Sequence, residues 1–173
     1  MVNSIFVMAL SVFLGSQATG MPPKFSDAQE ISCLATNIYF EARNQEMRGQ
    51  MAVGHVVMNR VRDERFPKSV CEVVLQGPTR PSWKDKTIHY PVRHRCQFSW
   101  YCDGAADKIH PKDDNIFELI HSMAFKIYHG QFTDFTGGAT HYHADYVSPE
   151  WRHTKTKTII VGNHIFYRWE QFQ

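Results

Sequence analysis

Two consecutive stretches early in the chain repeat their apolar residues at helical spacing, and they constrain the fold more than any other feature. In the first, Ile31, Leu34, Ala35, Ile38 and Ala42 recur at steps of three and four, which lines one helical face. Ser26 with Gln29 forms an S-x-x-Q capping box that opens this helix. Arg43-Asn44 suits its C-terminus. The second stretch runs from about Glu46 to Glu64 and carries Met51, Val53, Val56, Val57 and Val61 over a wide arc. That pattern predicts a central, buried helix.

Phe66-Pro67 ends the second helix. Residues 77 to 95 read as a long loop broken by Pro78, Pro81 and Pro91. The loop is basic, with Arg80, Lys84, Lys86, Arg93 and Arg95, and a solvated face is the simpler reading of it. A third helix is predicted over roughly 113 to 129, through Phe117, Ile120, Met123, Ala124 and Ile127. Near the end, Gly162-Asn163 separates Ile159-Ile160-Val161 from Ile165-Phe166-Tyr167, which is the signal of a two-residue β-hairpin. The expected class is α+β, mainly helical, with a small C-terminal β-hairpin. The chain has 173 residues, 43% of them hydrophobic, enough for one domain with a core, placed at 26–173.

The first twenty residues read as an export signal. Ile5 to Gly15 is an apolar run of signal length, shorter than a membrane span needs, and small residues follow at Ser16, Ala18 and Gly20. No Lys or Arg precedes the run, so an uncleaved N-terminal anchor is the alternative, and it would be the only route to a membrane. A secreted, periplasmic or envelope location is expected, and a monomer. The four cysteines then read as two disulfides with three connectivities open. Cys96 and Cys102 are close enough to clip one loop, which leaves Cys33 with Cys71. No C-x-x-C pair suggests zinc, and no cofactor is expected. A formal charge of +2 gives no reason to expect nucleic acid as a partner. The 10 histidines would make the protein more cationic in mildly acidic surroundings.

Glu41 is the most informative single residue. It follows Ile38 and Leu34 at helical spacing, so it sits at the edge of the apolar stripe near the helix end. A carboxyl group there is partly desolvated, which raises its pKa and suits a general acid. The alternative is an edge carboxylate paired with Arg43 or Arg48.

The string IYFEARNQEMRGQMAVGHVVMNRV, from Ile38 to Val61, closely resembles cell wall hydrolases of the spore-cortex-lytic (SleB) type. FPKSVCEVV (from Phe66), CQFSWYCDG (from Cys96), GATHYHADYVSPEW (from Gly138) and GNHIFYR (from Gly162) match in the same order. The resemblance implies a lysozyme-like α+β domain acting on peptidoglycan glycan strands, between N-acetylmuramic acid and N-acetylglucosamine. It assigns the catalytic role to Glu41. It further implies a lytic transglycosylase, in which one acid protonates the leaving oxygen and then helps the sugar's own 6-hydroxyl attack C1.

A hydrolytic muramidase needs a second carboxylate. Position 50, where a phage-type lysozyme has Asp, is Gln50, and Glu46 and Asp103 are the remaining candidates. Gln97, Phe98, Ser99 and Trp100 look like a groove wall, with the polar pair for acetamido groups and Trp100 for a sugar face; a disulfide-bounded structural loop explains them equally well. Thr140 and Tyr142 alternate and would share one strand face. By resemblance that face lines the cleft beside Glu41, and Tyr142 is a candidate catalytic helper. His141 and His143 would share the other face. H-x-H with His153 or His164 is the basis of a rival reading, a zinc amidase or peptidase. His55, Asn59 and Arg62 lie on one helical stripe, and Asn59-Arg60, within the string that carries the resemblance, reads as packing and helix support. A third class, a wall-binding module without catalysis, leaves the placement of Glu41 without purpose.

Overall fold

A computed structural model of the chain describes residues 24–170. The expected export segment lies outside the described residues. Among the described residues no helix is long and apolar enough to cross a membrane.

Helix α1 spans Asp27–Ala42, and both halves of the capping box at Ser26 and Gln29 form. Helix α2 spans Met47–Arg62 and stops where Asp63 turns extended, slightly inside the expected bounds. A one-turn helix, α3 (Val70–Val74), follows; it is too short to show a periodic signal in the sequence. Helix α4 spans Asp114–Tyr128, close to its expected bounds. The apolar faces of α1, α2 and α4 meet in one core, with Leu34, Ile38, Val53, Val57, Ala124 and Ile127 at 1% exposure or less. Gly54 permits this close crossing. A Cβ there would stand 2.8 Å from Ile127 Cδ1 and 3.0 Å from Ile38 Cδ1.

Helix α3 is fastened to α1 twice. Cys33 and Cys71 form a disulfide with Cα atoms 5.2 Å apart. The buried Glu30 carboxylate accepts the Cys71 amide at 2.8 Å, satisfying one of the free N–H groups in α3's first turn. Cys96 and Cys102 form the second disulfide, so both expected pairs are present.

The region expected to be a loop at 77–95 contains a short antiparallel ribbon, β1 (Thr79–Pro81) and β2 (His89–Pro91). Its prolines conceal it, since Pro breaks a strand signal. Here the ribbon is only two strands wide, so it has no central strand in which a missing N–H would break a ladder. The C-terminal hairpin forms as expected, from β4 (Thr156–Val161) and β5 (His164–Arg168). Gly162 takes the positive φ, 53°, that this tight turn requires. A third strand, β3 (His141–Ala144), pairs antiparallel with β5 and completes a sheet of order β3-β5-β4. The sheet packs on α2 through Ala52, Val56, Val161 and Phe166.

The two disulfides close loops of very different length, 38 and 6 residues apart in sequence. On chain-entropy grounds, replacing Cys33 and Cys71 with Ser should cost about 4 kcal/mol, against about 2 kcal/mol for the Cys96 and Cys102 pair. Urea denaturation of the two double variants measures this. An equal loss would show that loop closure does not govern their contributions.

Candidate active site

The last turn of α1 presents Glu41 to strand β3. The Tyr142 hydroxyl donates to Glu41 Oε2 at 2.8 Å, joining residues 101 positions apart. Neither basic residue expected to compete for Glu41 does so. Arg43 lies 3.9 Å from Asp113, and Arg48 sits over the Phe135 ring. Burial raises the pKa of Glu41. The Tyr142 hydrogen bond and the charge of Arg60 oppose that rise without cancelling it. Among the described residues, no second carboxylate figures in the field at Glu41. Glu46 is the exposed N-cap of α2, and Asp103 accepts from the Ala105 amide at 2.6 Å. Tyr142 in turn is pushed well above the ordinary tyrosine range, first by burial and then by the Glu41 charge, so its hydroxyl stays protonated and donates.

Arg60 stands behind this pair. It is 5% exposed, and its Nε donates to the Thr140 carbonyl at 2.7 Å. Its guanidinium lies 5.3 Å from the Phe66 ring centre and 5.2 Å from that of Phe98. The packing role expected of Arg60 is therefore only part of its effect, because its charge also reaches Glu41 and Tyr142. The sequence did carry a signal: a charged residue between Val57 and Val61, on the buried arc of α2.

The expected groove wall divides. Gln97 and Ser99 are exposed. Trp100 is partly buried, stacks on Phe40 at 4.7 Å and donates its indole N–H to Asn37 at 3.0 Å. The loop is thereby seated on α1 a single residue before Glu41. Phe98, at 3% exposure, belongs to the core beneath Arg60 rather than to a surface. Thr140 also departs from its expected place. It is 3% exposed, and its hydroxyl contacts His141 Nδ1 at 3.0 Å and the Trp169 amide at 3.3 Å. Its amide already pairs with β5, donating to the Tyr167 carbonyl at 2.9 Å, and its hydroxyl is taken up by protein partners.

His141 and His143 do share a strand face, against Trp151. His143 engages the Ala144 carbonyl at 2.8 Å and the Tyr167 hydroxyl at 3.1 Å, which occupies both ring nitrogens. Among the described residues no group of three or more His, Cys, Asp or Glu is arranged to hold a metal. Burial pushes His141 down to about 3, helped by Arg60, Lys155 and Arg65, and it also lowers His55 and His164. His141 therefore stays neutral in mild acid. Asn59 does provide helix support: it donates to Asp134 at 2.9 Å and to the Ala139 carbonyl at 3.0 Å.

Since the folded pKa of Glu41 is raised, its protonated form favours the native state. The stability this gives is complete below the ordinary glutamate range and is lost as pH rises through the raised value. Glu41→Gln carries no such loss. Its melting temperature should exceed that of the parent at neutral pH, and the gap should close as pH falls through the ordinary glutamate range. A gap independent of pH would show that Glu41 is not desolvated.

The profile of the cell wall hydrolase family matches residues 44–167, a stretch that begins just after Glu41. The spore cortex-lytic enzyme of Halalkalibacterium halodurans is 28% identical over 87% of this chain, and that of Bacillus subtilis is 39% identical over 34% of it. The chain spans only 38% of the first relative's length and 19% of the second's. Two solved structures share the fold. The catalytic domain of the germination-specific lytic transglycosylase SleB from Bacillus anthracis aligns with TM-score 0.58 over 86% of this chain and all of that one. The catalytic domain of the Bacillus cereus SleB protein aligns with TM-score 0.59 over 89% of this chain and all of that one. Each is 24% identical. With the family profile covering most of its length, the chain belongs to the cell wall hydrolase family.

Proposed function

We propose that this chain degrades peptidoglycan as a lytic transglycosylase, cutting between N-acetylmuramic acid and N-acetylglucosamine with Glu41 as its one acid/base. The observation that carries the reading is the desolvated carboxyl of Glu41, held by the Tyr142 hydroxyl, with no second carboxylate acting on it among the described residues. A raised pKa keeps the proton on Glu41 until the glycosidic oxygen takes it. Tyr142 occupies Oε2, which leaves Oε1 to serve the substrate. Arg60 favours the carboxylate that forms once the proton has gone.

Among the described residues no second carboxylate acts on Glu41, so the reading assigns none to activate water or to hold a glycosyl intermediate. The nucleophile is then the muramic 6-hydroxyl. It is already tethered to the reacting sugar, so its attack on C1 gains from proximity. As that bond forms, Glu41 accepts the hydroxyl proton, and the product is a 1,6-anhydro end with no water consumed. In this reading Gln97 and Ser99, both exposed next to Trp100 in sequence, bind acetamido groups, and the two disulfides suit action in the oxidising surroundings of the cell envelope.

Glu41→Gln should lower turnover of peptidoglycan by about 10²–10⁴-fold while the protein still sediments with it. Tyr142→Phe should lower turnover clearly less, and it should raise the pKa of Glu41 by removing a donor to its carboxylate. Mass spectrometry of muropeptides released in heavy-oxygen water tests the chemistry. Unlabelled anhydromuramic ends are expected. Labelled reducing muramic ends would establish a hydrolytic muramidase instead, and freed stem peptides an amidase or peptidase.

A further inference from the structure

The chemistry above leaves the ribbon β1–β2 and the loop at its tip without a role. From Thr79 to Pro91 stand three basic side chains, Arg80, Lys84 and Lys86, and one acidic one, Asp85, an excess as large as the +2 of the whole chain. The remainder of the protein is thus balanced in formal charge, and the net positive excess sits on this arm. The same arm exposes large apolar groups: Trp83 at 80%, Tyr90 at 54% and Ile88 at 47%. Trp83 and Tyr90 line one concavity together, and apolar surface so grouped and rimmed by polar residues marks interaction sites.

The arm is firmly rooted beside the site. Val92 donates to the Pro78 carbonyl at 2.8 Å and Gln97 to the Gln76 carbonyl at 2.9 Å. Gly77 lies so close to Cys96 that a Cβ on it would stand 3.1 Å from the sulfur. The segment that follows the root, 97–100, is the one seated on α1 beside Glu41. The root of the arm is therefore joined to the segment that packs beside Glu41.

On the arm itself Arg80, Ser82, Trp83, Lys84 and Tyr90 line a concavity of about 470 Å³. Aromatic faces accept the C–H faces of a sugar, a hydroxyl serves its polar edge, and two cations call for negative charge. The concave shape fits a saccharide and has no use against a flat lipid interface. Asp85 at the tip, held by the Thr87 amide and hydroxyl, would face anionic headgroups unfavourably.

We propose that the ribbon is a second binding site, separate from the cleft at Glu41, for a carboxylate-bearing saccharide. The identity of its ligand rests on the function proposed above: it is an acidic segment of the same peptidoglycan polymer, stem carboxylates included. The arm retains the protein on insoluble polymer and contributes nothing to the bond-breaking step.

Sedimentation with purified sacculi, using Glu41→Gln protein to prevent turnover, tests this. Adding Arg80→Ala, Trp83→Ala and Lys84→Ala should weaken binding about tenfold or more. Trp83→Phe alone should keep most of it. Sacculi whose carboxylates have been amidated should bind the unaltered ribbon as weakly as intact sacculi bind the triple variant. With Glu41 intact, the triple substitution should leave turnover of a short soluble glycan oligomer within twofold of the parent. Unchanged affinity for sacculi, or full affinity for amidated sacculi, would overturn the proposal. So would sacculus binding that persists while the triple substitution abolishes binding to anionic phospholipid vesicles. Oligomer cleavage by the parent is a separate reading, and its absence defeats the catalytic assignment rather than the ribbon.

Discussion

The buried guanidinium of Arg60 is the interaction on which the candidate site depends. A charge at 5% exposure is expensive to desolvate, and no carboxylate lies within ion-pairing distance to offset the cost among the described residues. What compensates is a hydrogen bond to the Thr140 carbonyl and two aromatic faces. Those partners come from three separate segments: the approach to β3, the chain just after α2, and the loop clipped by the second disulfide. Holding one cation brings all three to α2, and with them the strand that carries Tyr142.

The consequence for Glu41 is a balance of opposing effects. Burial at the end of α1 favours its neutral form, while Tyr142 and Arg60 favour the anion, and burial prevails. A residue in that position can hold a proton and still release it, which a fully solvated or fully paired glutamate does less well. The cost falls on stability, because Glu41 must be desolvated whether or not substrate is present. Functional groups are commonly kept this way, with packing elsewhere supplying the margin. Here the margin comes from the tight crossing of α1, α2 and α4 and from the two cross-links.

The support around the site also separates contact from scaffold. Phe98 and Thr140 lie within the motifs that carry the family resemblance, yet both are buried and turned to other protein groups. Asn59 and Asp134 likewise tie α2 to the turn before β3, with Asp134 accepting from Asn59, Thr136 and the Gly138 amide. Residues so placed support the elements that carry Glu41 and Tyr142, while Gln97 and Ser99 stay exposed.

The sequence alone determined the pieces whose physics is local. The capping box at Ser26, the apolar stripes of three helices and the Gly162-Asn163 turn depend on neighbours a few residues away, and each formed where it was read. The edge position of Glu41 was legible for the same reason, since periodicity places a residue on a face. Periodicity does not say what the face meets. The Glu41–Tyr142 bond spans 101 residues and the Arg60–Thr140 bond 80, so neither leaves a trace in any local pattern. Alternation could not show that the Thr140 hydroxyl is taken up by His141 and the Trp169 amide, nor that Phe98 lies in the core, where its ring meets the buried Arg60. The ribbon at 79–91 escaped notice because its prolines disrupt strand propensity while its stability comes from pairing across the turn. Which carboxyl is desolvated, and by whom it is held, was settled only when the helices and the sheet closed on one another.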